Sequence, residues 1–242
     1  MLPLLRSLAV SALCLCALGG LALPAAAAPP DPDASGLSSS ERLDALFERV
    51  RIEQKAVRSL EAHFVQRKES ELFVETEEAR GVFSFLAPDR VRWEFVSPDP
   101  MTVVIDDDTM TTWYRDLERA DVLKVGRYSE QVLQYLGASG TLETLLDYFR
   151  VSAVFPEAPG EPYRLSLDPR YARIQKRIES MDVWIDRERF VPVGLRYVEP
   201  GGDVTEYRFH DIEINAQVPA DRFELDLPAG VKRRELGVTG SD

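Results

Sequence analysis

Residues 86–100 read LAPDRVRWEFVSPDP. Successive side chains of an extended strand point to opposite faces, so Val91, Trp93 and Phe95 share one face of RVRWEF while Arg90, Arg92 and Glu94 share the other. That apolar face is either ordinary packed core or the wall of a space kept for a guest.

The same period of two extends outward on both sides. LEAHFVQRK (60–68), ARGVFSFL (79–86), MTVVI (101–105) and MTTWYR (110–115) read as strands, with a tight turn at Asp106-Asp107-Asp108-Thr109. Further on, RVSAVF (150–155), YRLSLD (163–168), IESMDVWID (178–186), VPVGLRYVE (191–199) and VTEYRFHDIEI (204–214) continue the pattern, the last two joined by a Pro200-Gly201-Gly202-Asp203 turn. Helical spacing interrupts it twice. Ser38 and Glu41 have the spacing of a capping box ahead of Leu43, Leu46, Phe47, Val50 and Val57, which predicts one amphipathic helix of about five turns. YSEQVLQYL (128–136) and TLETLLDYF (141–149) read as two short amphipathic helices, joined through Gly137 and Gly140 with Thr141 as a cap. Many strands with short turns and few helices predict a mainly β fold with α elements. The expected form is an unclosed, strongly curved antiparallel β-barrel of about ten to eleven strands, with helices covering its concave apolar face.

The first 28 residues have the form of a secretory signal peptide: Arg6, then the apolar run SLAVSALCLCALGGLAL, then Ala25-Ala26-Ala27-Ala28. Both cysteines, Cys14 and Cys16, fall inside this leader, so the mature chain is expected to hold no thiol or disulfide and to carry no lipid of its own. Loss of Arg6 leaves 28 basic residues against 41 acidic ones. Such a surface repels nucleic acid and anionic headgroups, so a diffusing soluble protein fits better than a peripheral membrane protein; a monomer that touches membrane complexes only transiently is expected. Residues 29–40 (PPDPDASGLSSS) read as a disordered tether, 41–236 as a single domain and 237–242 as a flexible tail.

Residues that carry enzymatic chemistry are sparse. His63 and His210 each sit inside a strand pattern, without an HxxxH spacing, a GxSxG elbow or a phosphate loop nearby, and read as ordinary structural histidines. No cofactor, metal or catalytic residue is expected. What stands out is the set of large apolar side chains: Phe83, Phe85, Val91, Trp93, Phe95, Met101, Val103, Ile105 and Trp113 on consecutive strands. Leu133, Leu136, Leu142, Leu145, Leu146 and Phe149 join them from the two short helices. Composition alone leaves open whether these fill a core or line a cavity.

Several short motifs occur in one order along the chain. They are Phe64-x-Gln66, Gly81, Pro88, Arg92-Trp93-Glu94, Trp113-x-Arg115-Asp116, Asp186 before Pro192, Gly202-Asp203, Asn215 before Val218-Pro219, Phe223 and Pro228-Ala229-Gly230. In this the sequence resembles the periplasmic lipoprotein carrier (LolA) family over nearly all of its mature length. The resemblance implies an acyl cavity between a half-open barrel and a helical lid, with acylated lipoproteins as cargo. It also implies a periplasmic location, an inner-membrane ABC transporter as donor and an outer-membrane acceptor. In such a protein the short helices would pack on Val91, Trp93 and Phe95 when empty and swing aside on Gly137 and Gly140. One departure stands out: members often carry a basic lid latch just before the proline that opens the Arg-x-Trp strand, where this chain has Ala87, so the latch is missing or is supplied by another residue such as Arg90 or Arg92. Two other uses of the same fold stay open. One is a carrier of a glycolipid or polyketide-derived lipid; the other is a regulatory module that senses lipid or lipoprotein.

Overall fold

The computed structural model describes residues 28–70, 76–124 and 146–236. The strands are β1 Ser59–Glu69, β2 Glu77–Leu86, β3 Arg90–Ser97, β4 Met101–Asp106, β5 Thr109–Tyr114 and β6 Arg119–Lys124. They continue with β7 Phe149–Val154, β8 Tyr163–Pro169, β9 Ser180–Ile185, β10 Pro192–Val198, β11 Val204–Ile214 and β12 Lys232–Leu236. All twelve form one curved, unclosed sheet in the order β12-β6-β5-β4-β3-β2-β1-β11-β10-β9-β8-β7. Every neighbouring pair is antiparallel except β12, which lies parallel to β6.

The sheet exceeds the expected strand count by β6 and β12, and both hide from periodicity for physical reasons. In β6 the buried side chains include Asp121, held by Arg119 and by Arg234 at 2.8 Å, so a charge sits where an apolar residue would signal a strand. All five residues of β12 are exposed, and main-chain pairing with β6 defines it instead.

Register builds one continuous apolar inner face. Phe64 opposes Gly81, Phe83 opposes Trp93, and Trp93 in turn opposes Val103. Across the centre Gln66 opposes Tyr207, which opposes Leu195, followed by Val183 and Leu165. The Asp107 backbone adopts a left-handed conformation (φ 51°) in the tight β4–β5 turn, as its short polar side chain permits.

Helix α1 (Ser39–Ala56) begins at the expected capping box: the Ser38 hydroxyl accepts from the Glu41 N–H, and the Glu41 carboxylate accepts from the Ser38 N–H. Its Leu46, Phe47 and Val50 are buried against Tyr163, Leu165, Leu167, Ile174, Met181, Val183 and Ile185, so α1 plugs the β8–β9 side of the inner face. Ile174 comes from the short helix α2 (Ala172–Gln175). Phe149, expected at the end of a helix, opens β7 instead and is buried in this same cluster, after a helical turn at residues 146–148.

Residues 29–38 do not form a free tether. Asp33 anchors them: one carboxylate oxygen accepts from the Tyr163 hydroxyl (2.6 Å) and the Arg187 Nε (2.8 Å), and the other accepts from Arg42 (2.8 Å). Burial pushes the Asp33 carboxyl up, but these three donors outweigh it and hold it below its ordinary value.

The outer face is strapped by the chain that follows β11. The Asn215 side chain accepts from the Arg58 N–H (2.7 Å) and donates to the Ala56 carbonyl, tying the end of α1 to the end of β11. A 3-10 turn at Ala220–Phe223 then packs over β3 and β4, with Phe223 buried. Arg222 donates to Ser84 (2.9 Å) and its carbonyl accepts from Arg92 (3.0 Å).

Two outcomes follow. A Cβ at Gly81 would lie 2.0 Å from the Glu94 carbonyl oxygen and 2.6 Å from Phe64 Cζ. Gly81→Ala should therefore cost about 3 kcal/mol in denaturant unfolding, whereas Gly201→Ala, whose Cβ meets nothing within 4 Å, should change little. Because the Asp33 carboxyl is depressed when folded, its contribution is present above the unfolded value near 3.8 and is lost as pH falls through the lower folded value. Asp33→Asn should lower stability by about 1–2 kcal/mol at pH 7, and the gap to the unaltered protein should close as thermal unfolding is followed down toward pH 3.

Candidate functional site

The β1–β5 side of the inner face carries a second apolar cluster: Phe64, Phe83, Val91, Trp93, Phe95 and Ile105. Phe64 is its hub. Its ring meets Trp93 and Phe95 edge-on at 5.0 Å each, and the missing side chain of Gly81 gives it room. Edge-to-face pairs of this kind add about 0.5–1.5 kcal/mol beyond their burial. Tyr207 packs against both clusters, and its hydroxyl accepts from the buried Gln66 amide at 2.5 Å. Burial pushes the Tyr207 phenol upward, so the hydroxyl stays protonated.

Beside this cluster lies a cleft of about 940 Å³. Small-molecule sites occupy about 300–1,000 Å³, so this cleft stands at the large end. Its wall includes Trp93, Phe95, Met101, Val103 and Met110 with the three tyrosines Tyr114, Tyr197 and Tyr207. Lys68, Glu77, Glu78, Asp99 and Asp116 also border it, so charged residues meet an apolar interior. Among the described residues, α1 reaches the other cluster and leaves this side uncovered.

The sequence candidates divide into groups. Trp93, Phe95, Met101 and Val103 line the cleft. Phe83, Val91 and Ile105 are buried in the cluster behind it, and Phe85 packs against that cluster. Trp113 is a correction: it opposes Thr102, whose neighbour across β3 is Glu94, so its indole belongs to the outer face with the Arg115 guanidinium 5.1 Å above it. Leu146 and Phe149 pack in the α1 cluster and not against Val91, Trp93 and Phe95. Leu133, Leu136, Gly137, Gly140, Leu142 and Leu145 lie outside the described residues. Met110, Tyr114, Tyr197 and Tyr207 were missed; parity within β5 would have found Met110 and Tyr114, and the other two tyrosines needed the register of β10 on β11.

Arg90 and Arg92, the expected substitutes for a basic latch, both project from the outer face, away from the cleft. Arg90 pairs with Asp106 (2.9 Å), and Arg92 donates to Glu94 (3.1 Å) and to the Arg222 carbonyl. Arg115 donates to the other Glu94 oxygen at 2.8 Å. Burial raises the Glu94 carboxyl, but the bonds from Arg115 and Arg92 more than reverse it and keep the group ionised.

A half-barrel with one part of its inner face plugged by a helix and the other left as a greasy cleft is a ligand-holding architecture. The family described as outer membrane lipoprotein carrier protein LolA matches residues 55–226, and the chain belongs to that family. An outer-membrane lipoprotein carrier protein of Alkalilimnicola ehrlichii is 30% identical over 75% of this chain and 79% of its own length. One from Chromohalobacter salexigens is 27% identical over 87% of this chain and 93% of its own. A crystal structure of an uncharacterized conserved protein from Thermus thermophilus shares the fold, with a TM-score of 0.52 at 12% identity over 80% of this chain and 99% of that one.

Proposed function

We propose that this protein is a periplasmic carrier that shelters the acyl chains of lipoproteins in the Trp93–Met110 cleft and shuttles them from an inner-membrane ABC transporter to an outer-membrane acceptor. The observation that carries this reading is a 940 Å³ apolar cleft continuous with an aromatic cluster, in a chain of the lipoprotein carrier family. The physical need is plain. At about 0.8 kcal/mol per methylene, one sixteen-carbon chain costs on the order of 10 kcal/mol to expose to water, so unescorted diffusion is negligible.

The cleft suits reversible holding. Met101 and Met110 supply flexible, polarisable side chains that adapt to a disordered hydrocarbon. Trp93 and Phe95 supply rigid wall, fixed from behind by Phe64. The protein acts by binding and not by catalysis, and release follows a difference in affinity toward the acceptor.

A charge placed in the wall tests this. Val103→Glu should weaken binding of a fluorescent hexadecanoyl probe by about tenfold or more, while Val96→Glu, at a position 59% exposed and not part of the cleft lining, should leave it unchanged. Equal binding by both variants, with circular dichroism showing both folded, would falsify the assignment of the cleft.

A further inference from the structure

The chain has two histidines, and the fold brings them side by side. His63 on β1 is the direct partner of His210 on β11, and their rings stack at 5.5 Å with 21° between planes. Beside them Asp211 sits in a β-bulge, where the β1–β11 register shifts between Glu61 and His63. Its backbone is left-handed, with φ 51°. In regular alternation residues 210 and 211 would point to opposite faces. The bulge re-aims the Asp211 carboxylate to the side of both imidazoles.

We infer that His63, His210 and Asp211 form a surface site for one divalent transition-metal ion of the imidazole-preferring class, with zinc as the representative. A single oxygen, Asp211 Oδ2, stands 2.8 Å from His210 Nδ1 and 3.5 Å from His63 Nδ1. With metal–nitrogen and metal–oxygen bonds of about 2.0–2.2 Å, ligand atoms of a tetrahedral site lie about 3.3–3.5 Å apart, so the two observed separations bracket the required one. The three ligand atoms already fall within 4.8 Å of one another. All three side chains are more than half exposed, so small torsional adjustments can complete the geometry and water can take the remaining position.

Two imidazoles and a carboxylate are a donor set for zinc, copper or nickel, whereas calcium and magnesium demand oxygen cages. No spacing motif betrays this set, because the two histidines come from strands at opposite ends of the described chain. The pair bridges β1 and β11, the seam where the β1–β6 half of the sheet meets the β7–β11 half. A bound ion would therefore cross-link the two halves from the outer face. The inference stands independently of the carrier reading, since the site lies on the opposite face from the cleft.

The test is calorimetric titration of zinc chloride into the full mature protein, purified without a histidine tag, at pH 7.5. One ion per chain is expected, with His63→Ala and His210→Ala each weakening binding by about tenfold or more and Asp211→Asn weakening it too. Zinc should also raise the melting temperature of the unaltered protein but not of His63→Ala. Exposed positions such as these should leave metal-free melting nearly unchanged, which separates loss of a ligand from loss of the fold. No saturable heat, or binding in both alanine variants as strong as in the unaltered protein, would overturn the site and leave only a histidine–carboxylate hydrogen bond.

Discussion

One helix cannot cover the inner face of twelve strands. An 18-residue helix such as α1 is about 27 Å long and about 10 Å wide. Twelve strands spaced by about 4.8 Å extend about 50 Å along the curve. Register nonetheless directs apolar side chains inward on strand after strand, so the sheet makes more greasy surface than α1 can bury. The fold resolves this unevenly: Leu46, Phe47 and Val50 complete a closed core over β7–β10, while Trp93, Phe95, Met101 and Val103 border a cleft. Among the described residues, that mismatch leaves the cleft side without a helix over it.

The side that α1 does not reach must still hold its shape, and aromatic packing behind the cleft does this. Phe64 fills the space that Gly81 vacates and fixes Trp93 and Phe95 from beneath. Outside, Glu94 takes hydrogen bonds from Arg92 and Arg115, and Arg222 with Phe223 binds the strap down over β3 and β4. The family motifs Phe64-x-Gln66, Gly81, Arg92-Trp93-Glu94 and Asn215 thus mostly build the scaffold. Of these residues, Trp93 and Gln66 also reach the cleft.

Much of the fold was legible in the sequence, because a period of two tells which residues share a face, and the capping box at Ser38 marks the start of α1. The site was legible in part. Side-chain size misled at Trp113, where Met110, Thr112 and Tyr114 share the inward parity and the larger indole takes the outer face. Phe149 fits a helical spacing as well as a strand start, and only its pairing with Pro169 decides between them. Asp33 gave no warning that a Pro- and Ser-rich stretch would be pinned, since its partners Tyr163 and Arg187 lie far along the chain. The histidine pair was invisible for the same reason.

Tryptophan placement offers a direct view of the cleft. Trp93 lies in its wall, whereas Trp113 and Trp184 are on the outer face by register. In a Trp113→Phe/Trp184→Phe variant, fluorescence comes from Trp93 alone, and bromine atoms placed along a stearoyl chain quench an indole only on near contact. Saturable quenching of Trp93 by the brominated chain, reversed by an unbrominated one, is the expected result; undiminished Trp93 emission at saturating lipid would contradict an acyl-holding cleft.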